Sequence, residues 1–170
     1  LIREPQIKHV SQLIGEHTRI FLYGFGSSGL AAQEFQLRLL RLGMDAEAIT
    51  ELHQMVLNEA RITNACLVIG ISLSGATREL IDALDRAKAR GAAVIYLTSS
   101  NAEREKRTYE EIVLAPVKKN LEYGNVISPQ FPILLILDLI YAQLLKEDRR
   151  STEAQYDTHI WERIKDYLVG

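Results

Sequence analysis

Hydrophobic positions alternate along the chain between short, continuously apolar runs and longer segments with helical spacing. Strands are predicted at 19–23, 44–49, 65–71, 93–97 and 112–115, and the apolar stretches 19–23 and 65–71 are expected to be buried. Runs without polar alternation are typical of parallel sheets that helices cover on both faces. Between these runs, apolar residues at helical spacing predict helices at 28–42, 51–60 and 77–90.

Further helices are predicted outside this alternation, at 5–15, 128–145 and 158–168. Gly15 is expected to end the first of them, and Ser128 is expected to cap the second. A capping box formed by Ser100 and Glu103 predicts one more short helix.

The alternation predicts an α/β fold, a doubly wound three-layer sandwich around a five-stranded parallel sheet, with right-handed crossovers. At 170 residues the chain is expected to form a single domain spanning 1–170. In such sheets, ligands bind outside the carboxyl ends of the strands. The candidate chemistry should therefore lie in the loops that follow the strands.

Composition and charge narrow the function. Apolar residues make up 47% of the chain, and the net charge of −2 comes without a basic run, which argues against DNA binding by this segment. The single Cys66 lies in an apolar strand, cannot form an internal disulfide, and indicates a reducing, cytoplasmic compartment. The longest apolar stretch, 131–145, contains Asp138 and is too short to span a bilayer, so no membrane partner is expected.

Two hydroxyl-rich loops carry the candidate chemistry. The first loop is Gly-Phe-Gly-Ser-Ser-Gly at 24–29, and the second loop is Ser-Leu-Ser-Gly-Ala-Thr at 72–77. Each follows a predicted strand and opens a helix, where backbone N–H groups and small hydroxyls suit a phosphate monoester. We expect the two loops to hold one anion from two sides.

The first loop has alternative interpretations. Its Gly-x-Gly-x-x-Gly pattern matches the dinucleotide fingerprint. Acidic residues follow it at a suitable distance, at Asp45, Glu47 and Glu51. The glycines could instead serve only a tight turn and close helix packing, which would leave Ser27 and Ser28 unexplained. These serines, and the presence of a second anion-type loop, favour a single phosphate over a nicotinamide dinucleotide.

The second loop could be an ordinary helix cap, but a cap needs only one hydroxyl and this loop offers Ser72, Ser74 and Thr77. It lacks the lysine of a nucleotide-binding P-loop. A single phosphate without Mg²⁺ is the expected ligand. The chain has no His-x-x-x-His or paired-cysteine pattern, and neither a cofactor nor a metal is expected.

The Gly-x-Gly-x-Ser turn at 24–28 and the Ser-x-Ser-Gly-x-Thr turn at 72–77 resemble those of SIS (sugar isomerase) domains, which bind phosphosugars. More narrowly, the stretches 51–54, 67–80 and 87–98 are similar to the C-terminal sensor domain of RpiR-type transcriptional regulators. The resemblance covers about 19–145. It implies an SIS, flavodoxin-like fold and a phosphosugar sensor whose DNA binding resides in a separate N-terminal helix-turn-helix domain, outside this chain.

The resemblance also implies roles for particular residues. The phosphate would be held by Ser28, Ser72, Ser74 and Thr77, with Ser27 beside it. His53 matches a position that reaches the sugar, and because SIS domains pair, a homodimer or homotetramer is implied in which His53 could serve a partner's site. His53 could equally be a surface histidine at a helix start.

Other candidates are weaker. Glu122 follows the last strand and could accept hydrogen bonds from sugar hydroxyls or be a solvated loop acid. Asp157 and His159 in the last predicted helix are less favoured, and His9 and His17 are expected at the surface.

Three functions stay open at this stage: a phosphosugar sensor, a free-standing sugar-phosphate isomerase, and a dinucleotide-binding fragment. An isomerase needs a base that moves a proton between adjacent carbons, which His53 or Glu122 could supply. No stronger acid–base pair lies near the loops, which favours binding without turnover. The stretch 131–137 is apolar on nearly all sides and is expected to be core or an oligomer interface.

Overall fold

Strands and helices alternate along the chain as the apolar pattern predicts. The structure, a computed structural model, describes residues 2–73, 77–100, 108–115 and 130–151. The strands are β1 (Arg19–Gly24), β2 (Ala46–Ile49), β3 (Cys66–Ser72), β4 (Ala93–Thr98) and β5 (Glu111–Leu114). The helices are α1 (Glu4–Glu16), α2 (Gly26–Arg41), α3 (Leu52–Asn58), α4 (Arg78–Ala89) and α5 (Phe131–Ser151), and a 3-10 turn at Glu59–Arg61 follows α3.

The five strands form one parallel sheet in the order β2-β1-β3-β4-β5. This is the flavodoxin-like doubly wound order, so the predicted fold class is confirmed. Gly24 lies opposite Ile71, and Ser72 lies opposite Thr98. Because the register is in step, β1, β3 and β4 end at the same edge of the sheet.

Helices cover both faces of the sheet. One core cluster packs α1, α2 and α5 against the strands, and a second cluster packs α3 and α4 against the other face. The inward positions predicted for α1 and α4 are all buried: Ile7, Val10, Leu13, Ile14, Leu80, Ile81, Leu84 and Ala87. Cys66 is a buried free thiol, as expected. None of the helices in the described part of the chain combines the length and hydropathy that a membrane span needs.

Two helix ends differ from the prediction. Helix α1 passes through Gly15 to Glu16, so the expected glycine cap at Gly15 is wrong. His17 ends the helix with extended backbone, and its Nδ1 lies 2.6 Å from the Leu13 carbonyl oxygen, which satisfies a last-turn acceptor. The proposed glycine cap is therefore unnecessary.

Helix α5 continues past the predicted end at 145 to Ser151. Glu147 accepts hydrogen bonds from Gln143 Nε2, one turn earlier, at 2.9 Å and from Ser11 Oγ of α1 at 3.2 Å. These contacts stabilise the part of the helix beyond 145, which is rich in charged residues. Glu103, Ser128 and the predicted helix 158–168 lie outside the described residues.

Glutamine side chains bond to both outer strands of the sheet. Gln36 Oε1 of α2 accepts the Ala48 backbone N–H at 2.5 Å on β2. Gln6 Nε2 of α1 donates to the Ile112 carbonyl at 3.1 Å on β5. One backbone group on each outer strand is thereby occupied and cannot bond to an added strand. This disfavours extension of the sheet between copies of the chain.

The first prediction concerns Gly70, which lies between Tyr23 and Tyr96 in the middle of the sheet. A Cβ on Gly70 would come within 2.5 Å of Leu84 Cδ1 of α4. We expect Gly70→Ala to lower the free energy of unfolding by about 1–3 kcal/mol through overpacking. Urea denaturation measures the change, and adding Leu84→Val should recover part of it.

Gly15→Ala is the matched control, because nothing lies within 4 Å of a Cβ there and Gly15 is inside a helix. It should leave stability unchanged or raise it by up to about 1 kcal/mol. Equal losses from both substitutions would contradict the close approach of α4 to β3.

The second prediction concerns Glu110, just before β5. Burial raises its pKa, but an ion pair with Lys88 and the Val94 backbone N–H, 2.6 Å from Oε2, outweigh burial and hold the pKa below its usual value. A lowered pKa contributes stability above the pKa of the unfolded chain, and this contribution is lost as the pH falls. Glu110→Gln should therefore destabilise by about 1 kcal/mol at pH 7, since the pair is partly exposed.

The stability difference between wild type and Glu110→Gln should shrink between about pH 5 and pH 3. Denaturation curves across that range measure it. Glu4→Gln, which breaks the exposed Lys8–Glu4 pair, is the control and should produce no measurable change. A Glu110 difference that is constant with pH would overturn the assignment.

Candidate functional site

The two hydroxyl-rich loops meet at the carboxyl edge of the sheet, between its adjacent strands β1 and β3. From β1 the chain turns into α2 on one face, and from β3 it turns into α4 on the other face. In doubly wound sheets such a divergence creates a crevice at the switch point, which is the general ligand position. The predicted placement of both loops at one edge is confirmed.

The glycines of the first loop each have a steric reason. A Cβ on Gly24 would lie 2.8 Å from the backbone C and O of Ser28, and a Cβ on Gly29 would lie 2.9 Å from Thr50 Cγ2. Gly26 has φ +52°, in the left-handed region that favours glycine. A tight turn with close helix packing therefore accounts for all three glycines without a dinucleotide.

The two serines of the first loop have different surroundings. Ser27 is exposed, whereas Ser28 is buried, 9% exposed, within the first turn of α2. Consecutive helical residues point about 100° apart, so the two side chains face different directions. Phe25, the residue before α2, supplies no side-chain cap. The Phe25 carbonyl accepts the Ser28 N–H at 3.0 Å and the Gly29 N–H at 3.2 Å, so Phe25 caps this helix with its backbone only.

In the second loop, two hydroxyls approach each other across the loop. Ser72 ends β3 and is 4% exposed, and its Oγ lies 3.4 Å from Thr77 Oγ1. Thr77 precedes α4 with extended backbone and makes no side-chain capping bond to that helix. The alternative that Thr77 is an ordinary helix cap therefore does not hold, and its hydroxyl faces Ser72. Ser74 lies outside the described residues.

A third segment at this edge was missed by the sequence analysis. Ser99 follows β4, and its backbone N–H donates to the Leu73 carbonyl at 3.3 Å. The Ser99 hydroxyl donates to the same oxygen. The signal in the sequence is a run of three hydroxyl residues, Thr98 to Ser100, at the end of a strand beside β3.

The histidines are distributed over both edges of the sheet. His53 is exposed in the first turn of α3, directly after β2, and so flanks the first loop from the outer side. His9 is exposed, as expected, with Nδ1 2.6 Å from Glu111 Oε1, and His17 is half-buried. Glu122, Asp157 and His159 lie outside the described residues.

Two of the three acidic residues that could have bound a ribose are paired with arginines, and Glu51 is exposed just before α3. Glu47 Oε2 accepts a hydrogen bond from Arg61 at 2.7 Å, which holds the pKa of Glu47 below its usual range. Asp45 lies 3.3 Å from Arg19 Nε. The strand order also differs from the 3-2-1-4-5-6 order of dinucleotide-binding folds. The arrangement argues against a nicotinamide site.

Two hollows lie elsewhere on the surface. One of about 480 Å³, beside the start of β5, is lined by Arg3, His9, Glu110 and Glu111 among others. The other, about 440 Å³ between α3 and α4, includes Glu59, Glu79, Asp82 and Arg86. Neither hollow is lined by a hydroxyl of the two loops. Within the described ranges, no group of three or more His, Cys, Asp or Glu residues is placed to bind a metal ion.

Sequence comparison identifies similar regulators. The chain is 31% identical over 86% of its length to an HTH-type transcriptional regulator of Haemophilus influenzae, and 32% identical over 79% to one of Clostridium perfringens. These matches cover 51% and 48% of the two relatives, so the chain spans about half the length of each.

Solved structures share the fold. The sugar isomerase domain of an RpiR transcription factor from Sphaerobacter thermophilus has a TM-score of 0.76 at 21% identity, covering 87% of this chain and 81% of that one. The Vibrio vulnificus NanR protein complexed with ManNAc-6P has a TM-score of 0.76 at 24% identity, covering 86% and 56%. Phosphoheptose isomerase GmhA from Neisseria gonorrhoeae has a TM-score of 0.70 at 18% identity, covering 84% and 87%.

A family model settles the assignment that the two loops indicate. The SIS domain model matches residues 12–133, which include both loops, β1 to β5 and the whole of α4. The match spans most of the chain and agrees with the sheet order and the switch-point crevice. The chain therefore belongs to the SIS domain family.

Proposed function

We propose that this chain is the phosphosugar-binding effector domain of an RpiR-type transcriptional regulator in the cytoplasm. In this proposal, a sugar phosphate binds at the β1–β3 crevice and modulates DNA binding by a separate N-terminal helix-turn-helix domain. The observation that carries it is the convergence of two helix N-termini, neither capped by its preceding side chain, beside the Ser72–Thr77 hydroxyl pair.

This geometry suits one phosphate group. The N-terminal N–H groups of a helix are donors with a partial positive charge, and an anion there satisfies them. Arg78, the first residue of α4, has a side chain that is 90% exposed, with Nε 4.0 Å from Asp82 Oδ2. A cation at a helix N-terminus is unfavourable, and a bound phosphate dianion would add to the compensation that this exposed pair provides. Ser28 of the first loop and Ser72, Ser74 and Thr77 of the second loop would add hydroxyl contacts. Ser27 of the first loop would lie beside the phosphate.

The regulatory role is supported by the relatives. Both HTH-type regulators match this chain over about half of their own length, which is consistent with a sensor joined to a separate DNA-binding half. The NanR protein, part of which shares this fold, forms a complex with ManNAc-6P. A sensor requires that the ligand bind one arrangement of the assembly better than another.

A second copy of the chain is part of the proposal. Helix α5 buries Ile133, Ile136 and Leu137, so the predicted apolar stretch is partly core. Its opposite side carries an exposed stripe at i, i+4 and i+8: Phe131, Leu135 and Leu139. Exposed apolar stripes of this kind mark interaction surfaces. Because glutamines of α1 and α2 bond to both outer strands, two copies of the chain are expected to pair through helices, as a homodimer or homotetramer.

The alternative function is a sugar-phosphate aldose–ketose isomerase, because phosphoheptose isomerase shares the fold. His53 and Glu122 are the candidate bases for that chemistry. Assaying each binding sugar phosphate for conversion to its isomer separates the two functions.

The third prediction is that a sugar phosphate raises the melting temperature of this protein. A ligand at 100 times its Kd stabilises the native state by about 2.7 kcal/mol. Differential scanning fluorimetry with ManNAc-6P and further hexose and pentose phosphates measures the shift. Free sugars and NAD(P) are the controls. A shift without isomer formation is the expected result, a shift with turnover identifies an isomerase, and a shift with NAD(P) alone would contradict the proposed site.

The fourth prediction is that Ser74→Ala combined with Thr77→Ala abolishes this shift. Both hydroxyls belong to the second loop, and Thr77 caps no helix N–H with its side chain, so the fold should persist. The melting temperature of the unliganded double variant, compared with wild type, is the control for folding. Unchanged affinity in a folded double variant would refute the phosphate-loop assignment.

A companion variant, His53→Ala, separates sugar recognition from phosphate recognition. If His53 reaches the sugar of its own or a partner's site, the Kd for the sugar phosphate should rise about tenfold while inorganic phosphate binds unchanged. His9→Ala, an exposed histidine at the other edge, is the matched control. Unchanged sugar-phosphate affinity would leave His53 as a surface residue.

A further inference from the structure

We infer that Ser99 is a positioning residue that holds Leu73, directly after β3, in place for anion binding from the end of β4. This inference rests on the proposed function and deepens it, because it adds a third strand end to a site built from the ends of β1 and β3. Ser99 acts on the backbone of the loop and has no direct contact with the ligand in this proposal.

One carbonyl group, that of Leu73, joins the end of β3 to the end of β4. The Leu73 oxygen accepts the Ser99 backbone N–H at 3.3 Å and also the Ser99 hydroxyl. Leu73 lies in the loop between Ser72 and Ser74, and its half-buried side chain packs against the core cluster of α1, α2 and α5. The residue that leads into Ser74 is therefore fixed by its side chain and by its carbonyl oxygen.

The segment that presents Ser99 is itself held firmly. Thr98 is fully buried and lies opposite Ser72 in the register of β3 and β4. The Thr98 carbonyl accepts the Ala115 N–H at 2.7 Å, and its Oγ1 accepts the Ser100 N–H at 3.1 Å. Ser99 thus connects the loop to the sheet through a rigid strand end, and anion binding benefits because the donors are ordered before the ligand arrives.

The same bonding pattern at the opposite edge of the sheet provides a matched control. The Thr18 N–H and Oγ1 both donate to the Ala65 carbonyl, at 3.2 and 3.5 Å. Ala65 leads into the start of β3, whereas Leu73 follows its end. Removing the Thr18 hydroxyl therefore measures the general cost of losing such a bond, without any effect on the anion loop.

The fifth prediction is that Ser99→Ala weakens anion binding about three- to tenfold, the usual effect of losing one hydrogen bond. Inorganic phosphate, titrated at constant ionic strength against chloride, is the probe, and fluorimetry or ³¹P NMR gives its Kd. Ser99→Thr keeps a hydroxyl and should stay within about twofold of wild type. Ser99→Cys, a weak donor, should fall between wild type and Ser99→Ala. Thr18→Ala should leave the Kd unchanged.

Each outcome either supports or overturns the positioning role of Ser99. A Ser99→Ala Kd within twofold of wild type would overturn the positioning role while leaving the proposed function intact. Equal losses in Ser99→Ala and Thr18→Ala, or no rescue by Ser99→Thr, would also overturn it. If the wild type binds neither phosphate nor any sugar phosphate, the proposed function itself fails and the inference fails with it. Rescue by threonine with unchanged Thr18→Ala binding supports the inference.

Discussion

The close approach of helices to the sheet at glycine positions is the constraint on which the site depends. At Gly24 the first turn of α2 comes so near that a Cβ would lie 2.8 Å from the Ser28 backbone, and no side chain could move aside. At Gly70 a Cβ would meet Leu84 of α4 on the other face. The first contact sets where α2 begins, and the second sets how closely α4 packs on β3. Because both helices follow parallel strands, their N-termini lie at one edge of the sheet, where the proposed ligand would bind.

Much of this arrangement could be predicted because its signals are local. The apolar stretch of β3 and the glycine-rich turn after β1 can each be recognised from a few consecutive residues. Because the strands are parallel, the loops that follow them lie at the same edge of the sheet. The helix ends were harder because distant contacts decide them. His17 bonds the Leu13 carbonyl in place of a glycine cap, and Ser11 of α1 helps to hold Glu147 in α5.

Within the site, the sequence could supply residue types but not directions. Ser27 and Ser28 look equivalent in a sequence, yet a single helical step leaves one exposed and the other buried. The hydroxyl run at 98–100 marks the segment in the sequence, but the role of Ser99 depends on β4 lying beside β3 in a register that places Thr98 opposite Ser72. Such information is nonlocal, and a pattern along one chain does not contain it.

The fold also limits how ligand occupancy could reach another protein chain. The hydrogen bonds from Gln36 of α2 to β2 and from Gln6 of α1 to β5 disfavour pairing through the sheet edges, which leaves the helical faces. Helix α2 begins at the first loop and is joined to α5 by the Arg38–Asp138 ion pair, with 2.5 Å between Nη1 and Oδ1. The exposed stripe of Phe131, Leu135 and Leu139 also lies on α5. An anion that shifts the start of α2 would thus act on the face proposed for the second copy, through packed helices and without any change in the sheet.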